Sequence, residues 1–278
     1  MKAAAFAYHR AATVEEALAL LKEHGGRAKL MAGGQSLGPM LNLRLARPPV
    51  VVDISAIQDL RQVREEGDTL SIGAGITHAE IEDGRHAPLR GTAMQRVAGG
   101  IAYRAVRNRG TVGGSLAHAD PAADWVLAMT ALGAEIEIAG STGKRRVAIE
   151  DFMQGAYTTV VGDTELITGI RVPRGGHAAR WGYYKFCRKP GEFADASCAA
   201  WFDPATRTAR IAIGALDGAP RLLSALAAEV AAKGAAAATA SAIAAAVEDA
   251  MPDKDGPHRK LHTAAVTRCL AQVLGDRA

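Results

Sequence analysis

Apolar positions along the chain recur in two rhythms, and these rhythms divide it into short strands and helices. Residues 13–24 carry apolar side chains at helical spacing behind Thr13 and Glu16, a capping-box pair, and Gly25-Gly26 stops the run. Residues 29–32 form a short strand that runs into Gly33-Gly34, and the apolar run 50–54 behind Pro48-Pro49 is a buried strand. This β–α–β opening predicts a small parallel unit. Residues 70–75 form a strand with alternate glycines, and 77–83 a short helix with Thr77 as N-cap and Glu80 three residues on. Residues 94–99 and 124–132 read as helices, and 135–138 and 165–173 as strands. Gly175-Gly176 is the best linker. Beyond it residues 181–188, 196–202 and 210–216 read as three strands, followed by two Ala-rich helical regions. Three strands packed by helices predict a separate α+β domain. No repeat of fixed period is present.

Composition narrows the class. With 49% hydrophobic and 22% charged residues the chain of 278 residues supports a packed core, and 30 glycines against 5% aromatics point to many tight turns. The net charge of +4 is dispersed. Its densest cluster, Lys144-Arg145-Arg146, reads as a solvated hairpin tip, without the aromatic platform of a nucleic-acid surface. Cys187, Cys198 and Cys269 share no short spacing, which argues against a disulfide framework and against a zinc or iron–sulfur site held by this chain alone. A reducing cytoplasm is the expected compartment. The N-terminus lacks the apolar stretch of a signal peptide. The Ala-rich segment 222–251 carries Glu229, Lys233 and Glu248, so it reads as one or two amphipathic helices and not as a membrane span.

Two glycine turns carry the candidate chemistry. Ala32-Gly33-Gly34-Gln35-Ser36 follows a strand, and Thr111-Val112-Gly113-Gly114-Ser115 follows Arg107-Asn108-Arg109-Gly110. Paired glycines let main-chain N–H groups approach a ligand, and Ser36 and Ser115 add hydroxyls. Facing one another, the turns could clamp a pyrophosphate; taken singly, each also suits an ordinary turn. Neither matches a P-loop or a Rossmann fingerprint. His118, Asp120 and Asp124 lack a further ligand for a metal site. Asp120 reads instead as the cap of a helix starting at Pro121, and Asp124 as an acceptor for a ligand's hydroxyls.

Ala32-Gly33-Gly34-Gln35-Ser36-Leu37 with residues 39–44, and the run from Arg107 through Thr111-Val112-Gly113-Gly114-Ser115-Leu116-Ala117-His118-Ala119-Asp120-Pro121, resemble the two flavin loops of the carbon monoxide dehydrogenase and xanthine dehydrogenase family. The resemblance covers nearly the whole chain. It implies an α+β fold: a PCMH (vanillyl-alcohol-oxidase-type) FAD-binding domain over residues 1–175, with subdomains of about 1–60 and 61–175, and a C-terminal domain over 176–278 with a three-stranded sheet and helices. It implies that FAD is held by Ala32, Gly33, Gly34, Gln35, Ser36 and Leu37 and by Thr111, Val112, Gly113, Gly114, Ser115 and Ala117. By the same resemblance Asp124 meets a polar part of the cofactor, Ile167 lies against a ring, and Lys185 reaches the isoalloxazine edge near N1 and C2=O. A fixed cation there favours the reduced flavin anion. Members often carry tyrosine where this chain has Phe193, which leaves the flavin's potential and acceptor access open. Ile101 and Tyr103 are placed to shape the other ring face.

The function implied is that of an FAD-binding electron-transfer subunit of a molybdenum hydroxylase, with no catalytic acid, base or metal of its own. Electrons come from a small partner with two [2Fe-2S] clusters, fed by a large molybdopterin subunit, and leave to an external acceptor. The expected assembly is a heterotrimer or a dimer of heterotrimers, cytoplasmic, without nucleic acid or a membrane span. A free-standing flavoprotein oxidoreductase of the same fold and a non-catalytic nucleotide-binding protein are the alternatives. Substrate and acceptor are not readable from the sequence.

Overall fold

The computed structural model describes residues 1–275. Three sheets and one small hairpin order the chain. The first sheet is parallel, with Val50–Asp53 between Ala7–Arg10 and Ala28–Met31, and Ala7 and Ala28 both stand opposite Val50. All four residues of the central strand are buried, as the unbroken apolar run requires. Helix Val14–His24 makes the crossover. The Thr13 hydroxyl accepts from the Glu16 N–H at 3.1 Å, and Gly25 ends the helix with φ 52°.

The second sheet is antiparallel, in the order Val63–Glu66, Thr69–Gly73, Leu166–Pro173, Glu135–Gly140, Gly143–Ala148. Helix Asp124–Leu132 is buried at every residue from Asp124 to Ala131, the mark of a helix enclosed on all sides. It packs between this sheet and a third one, so Ile136, Ile170, Trp125, Met129, Ala199 and Ala212 share one core. The third sheet runs Arg180–Phe186, Ala196–Asp203, Thr208–Gly214, Arg221–Leu222. Its far face is covered by helices Ser224–Lys233, Ala240–Ala250 and Gly256–Leu274, which build a core around Cys198, Ile213, Val230 and Val266. A smaller core around Ala17, Leu21, Val52 and Leu60 supports the parallel sheet.

Several sequence expectations require correction. Lys144, Arg145 and Arg146 do not form a hairpin tip. They lie in edge strand Gly143–Ala148, where Arg145 pairs with Glu165 at 2.7 Å and Arg146 with Glu137 at 3.2 Å. Charge suits an edge strand, because it discourages further pairing. Asp120 does not cap a helix at Pro121. Its carboxylate accepts from the Ala122 N–H at 2.9 Å, closing a turn, and the helix begins at Asp124. The C-terminal sheet has four strands, not three: the two-residue strand Arg221–Leu222 is too short to leave a periodic signal. Three α-helices follow it where two helical regions are expected. The second glycine turn is the start of helix Val112–His118, not an open loop, because the Thr111 hydroxyl caps it through the Gly114 N–H at 3.0 Å.

Candidate functional site

The two glycine turns touch. A Cβ on Gly33 would overlap the Arg109 carbonyl oxygen and stand 2.9 Å from the Gly110 Cα, so only glycine lets the chains meet there. A Cβ on Gly114 would stand 2.8 Å from the Thr111 hydroxyl oxygen and 3.7 Å from the Ala32 Cβ. Arg109 Nε donates across the junction to the Gly33 carbonyl at 3.3 Å, and Gln35 Nε2 donates to the same oxygen at 3.3 Å. Strand Ala28–Met31 delivers the first turn and helix Leu37–Asn42 leaves it. The second turn is fixed by a Thr77–Thr111 bridge and by the His78 N–H, which donates to the Gly110 carbonyl at 2.9 Å.

The turns differ in what they offer. In the second, the Val112 N–H donates to Ile76, the Gly113 N–H to Ala74 and the Ser115 N–H to Thr111, so these donors are already used. Gly113 is needed for packing, since a Cβ there would overlap Ala74. In the first, the main-chain N–H groups of Gly33, Gly34, Gln35 and Ser36 donate no hydrogen bond within the described residues. Consecutive free N–H groups in a turn with Gly34 at φ 70° form an anion-binding nest.

The residues of this turn line a cavity of about 1610 Å³. Drug-sized ligand pockets are roughly 300–1,000 Å³, so the volume suits an extended ligand. Residues 32–37, Thr111, Gly113, Gly114, Ser115, Ala117, Asp124 and Ile167 line it together. Val112 and Lys185 do not. Val112 points into the core and is fully buried. Lys185 turns to Asp124: its Nζ donates to Oδ1 at 3.0 Å and Oδ2 at 3.3 Å, and to the Gly100 carbonyl at 3.0 Å. The pair is enclosed, with the two side chains 11% and 7% exposed, so the ion pair fixes the lysine beside the cavity wall instead of on it.

Tyr183 and His78 belong to this region without any signal in the sequence marking them. The Tyr183 hydroxyl donates to Asp124 Oδ1 at 2.6 Å, and burial, then the Asp124 charge, push its pKa well up. His78 follows an N-cap threonine and lines the cavity; burial lowers its pKa to about 4, so it is neutral at pH 7. Arg107 braces the approach to the second turn. It donates twice to Glu82, at 2.8 and 2.9 Å, and to the carbonyls of Ile101 and Ala102. Those bonds hold the Glu82 carboxyl below its ordinary pKa. At the cavity mouth Tyr103 and Phe193 are 59% and 63% exposed, and Ala102, with φ 41°, and Tyr157, with φ 58°, take left-handed backbone. Non-glycine residues held in that region cost free energy and cluster at functional sites.

The geometry fits a dinucleotide: main-chain N–H groups without an internal partner, a cavity of ample volume, and a buried carboxylate and exposed aromatic rings among its lining residues. Among the described residues no group of three His, Cys, Asp or Glu side chains could hold a metal ion, and no helix is long and apolar enough to cross a membrane.

Comparison with known proteins points the same way. The sequence profile of the FAD-binding domain in molybdopterin dehydrogenases matches residues 4–175. The chain is 40% identical to the carbon monoxide dehydrogenase medium chain of Hydrogenophaga pseudoflava over 194 residues, 70% of this chain and 68% of the relative. It is 36% identical to the caffeine dehydrogenase subunit beta of Pseudomonas sp. (strain CBB1) over 234 residues, 81% and 78% of the two chains. A solved chain of the H. pseudoflava carbon monoxide dehydrogenase, in a form lacking the Mo-pyranopterin moiety, superposes with a TM-score of 0.90 at 34% identity, covering 98% of both chains.

Proposed function

The chain belongs to the family of FAD-binding medium subunits of molybdenum hydroxylases, and from that premise we propose that it relays electrons from an iron–sulfur partner to an external acceptor. The observation that carries the proposal is the contact of Gly33 with Arg109 and Gly110, which brings a row of free N–H groups to the cavity lining.

In this reading the N–H groups of Gly33, Gly34, Gln35 and Ser36 hold the cofactor's diphosphate. Gly114, Thr111, Ser115, Ala117 and Leu37 close the walls. Asp124 takes a polar part of FAD, and Ile167 packs against a ring. Bound FAD supplies the electron-carrying chemistry. The protein's part is to bind it, orient it and set its electrostatics. Lys185 acts through Asp124: it neutralises a carboxylate that would otherwise oppose electron arrival.

The cysteine content supports partners that carry the clusters, since Cys187, Cys198 and Cys269 are three free thiols, fewer than the four that a [2Fe-2S] cluster takes. We therefore assign two [2Fe-2S] clusters to a small subunit and molybdopterin to a large one, in a cytoplasmic heterotrimer or its dimer. We divide the chain into an FAD-binding domain over residues 1–175, with subdomains of about 1–60 and 61–175, and a C-terminal domain over 176–278. Substrate choice falls to the large subunit, in keeping with relatives named for carbon monoxide and for caffeine.

The test mixes the purified, FAD-loaded chain anaerobically with its dithionite-reduced iron–sulfur subunit. Bleaching of the flavin band with reoxidation of the clusters is the expected result. A chain that retains no FAD, or a flavin that stays oxidised against reduced clusters, contradicts the relay.

A further inference from the structure

Asp124 faces the cavity from helix Asp124–Leu132, but the groups that orient its carboxylate come from elsewhere in the fold. Strand Arg180–Phe186 supplies both: the Tyr183 hydroxyl at 2.6 Å and the Lys185 ammonium at 3.0 Å, converging on the same oxygen, Oδ1. The strand is itself held in register by helix Gly256–Leu274. Gln272 accepts from the Tyr183 N–H at 3.0 Å and donates to the Tyr183 carbonyl at 3.0 Å. The Tyr183 ring also lies parallel to that of Trp181, at 6.4 Å and 11°. The region past residue 175 thus fixes the charge on a wall of the flavin cavity.

We propose that Tyr183 is a positioning residue for the flavin site, acting through Asp124, with Gln272 holding it in place. The inference rests on the FAD-binding reading above. A short hydrogen bond donated to a carboxylate draws negative charge off its oxygens and fixes their direction. Without the hydroxyl, Oδ1 keeps only Lys185, and the carboxylate is more negative toward the cavity. Reduction brings negative charge to the flavin, so the reduced form is disfavoured and the midpoint potential falls. The hydroxyl stays protonated throughout the working pH range, because burial holds its pKa well up.

The test is a mutant cycle on the full chain loaded with FAD, read by spectroelectrochemistry. Tyr183→Phe is expected to retain stoichiometric FAD and to reduce the flavin's reduction equilibrium constant on the order of threefold to tenfold, about 14 to 30 mV for a two-electron couple. In an Asp124→Asn background the same substitution is expected to change nothing, because its route is gone. Gln272→Leu, which touches neither the cavity nor Asp124, is expected to shift the potential in the same direction by less, and it tests the idea independently of how well Tyr183→Phe folds. A wild-type potential in Tyr183→Phe, or an equal shift with Asp124 replaced, overturns the inference while the FAD site stands. A wild-type chain that takes up no FAD overturns both.

Discussion

At Gly33 one hydrogen atom decides whether two turns can meet, since a methyl group there would overlap the Arg109 carbonyl. Gly33→Ala is expected to part the turns, weaken FAD at least tenfold and destabilise the fold by about 1–3 kcal/mol, as overpacking does. Gly38→Ala, where a Cβ meets nothing within 4 Å and the backbone is helical, is expected to bind FAD normally and to gain about 0.5–1 kcal/mol. Flavin titration and urea melts separate the two outcomes, and equal loss in both variants would count against the contact. His78 sets a second residue-scale effect. Its pKa of about 4 in the folded chain against about 6.5 unfolded means that the unfolded state binds the extra proton between those values. Stability is full above pH 6.5 and falls by about 3 kcal/mol as the pH drops to 4. His78→Phe should flatten that slope, and urea midpoints at pH 7, 5.5 and 4.5 measure it. The glycines were legible in the sequence because absent side chains leave a mark. Tyr183 and His78 were not, because a tyrosine in a strand and a histidine after a cap look the same whether or not a cavity lies beside them.

Elements announced by their ends were read well. Thr13 and Gly25 bound the first helix, and Thr77 and Glu80 form the capping box expected of them, with the Thr77 N–H and hydroxyl both donating to Glu80 at 2.9 and 2.7 Å. Burial alone would raise the Glu80 pKa, but the bonds from Thr77 and the charge of Arg61 outweigh it and leave it lowered. Elements with no apolar rhythm of their own were misread: edge strand Gly143–Ala148 is polar and exists through its pairing with the neighbouring strand Glu135–Gly140. The helix at Val112 was hidden by Gly113 and Gly114, each about 1 kcal/mol poorer than alanine in a helix. Its cap therefore carries unusual weight. Thr111→Val is expected to cost about 1 kcal/mol and to loosen FAD in parallel, because the helix start is also a cavity wall. Unchanged affinity with lowered stability would detach the helix start from the site.

On the scale of the molecule, three cores hold three sheets, and the cavity draws its walls from residue 21 to residue 193. Periodic stretches announced the β–α–β opening and the C-terminal α+β domain, and the fold class of the whole chain followed from the resemblance of its two glycine runs. How the pieces enclose a site was not, since the Asp124–Lys185 pair joins positions 61 apart. That pair yields a prediction for the assembled site. Asp124→Asn should raise the flavin potential and Lys185→Met lower it, each on the order of 30 mV. Shifts of the same sign would remove the pair from the flavin's field. A crystal structure of the full chain with FAD bound decides whether the two glycine turns close on its diphosphate. The diphosphate oxygens are expected within hydrogen-bonding distance of the N–H groups of Gly33, Gly34, Gln35 and Ser36, beside Gly114. A diphosphate bound away from that junction, with those N–H groups left facing solvent, would contradict it.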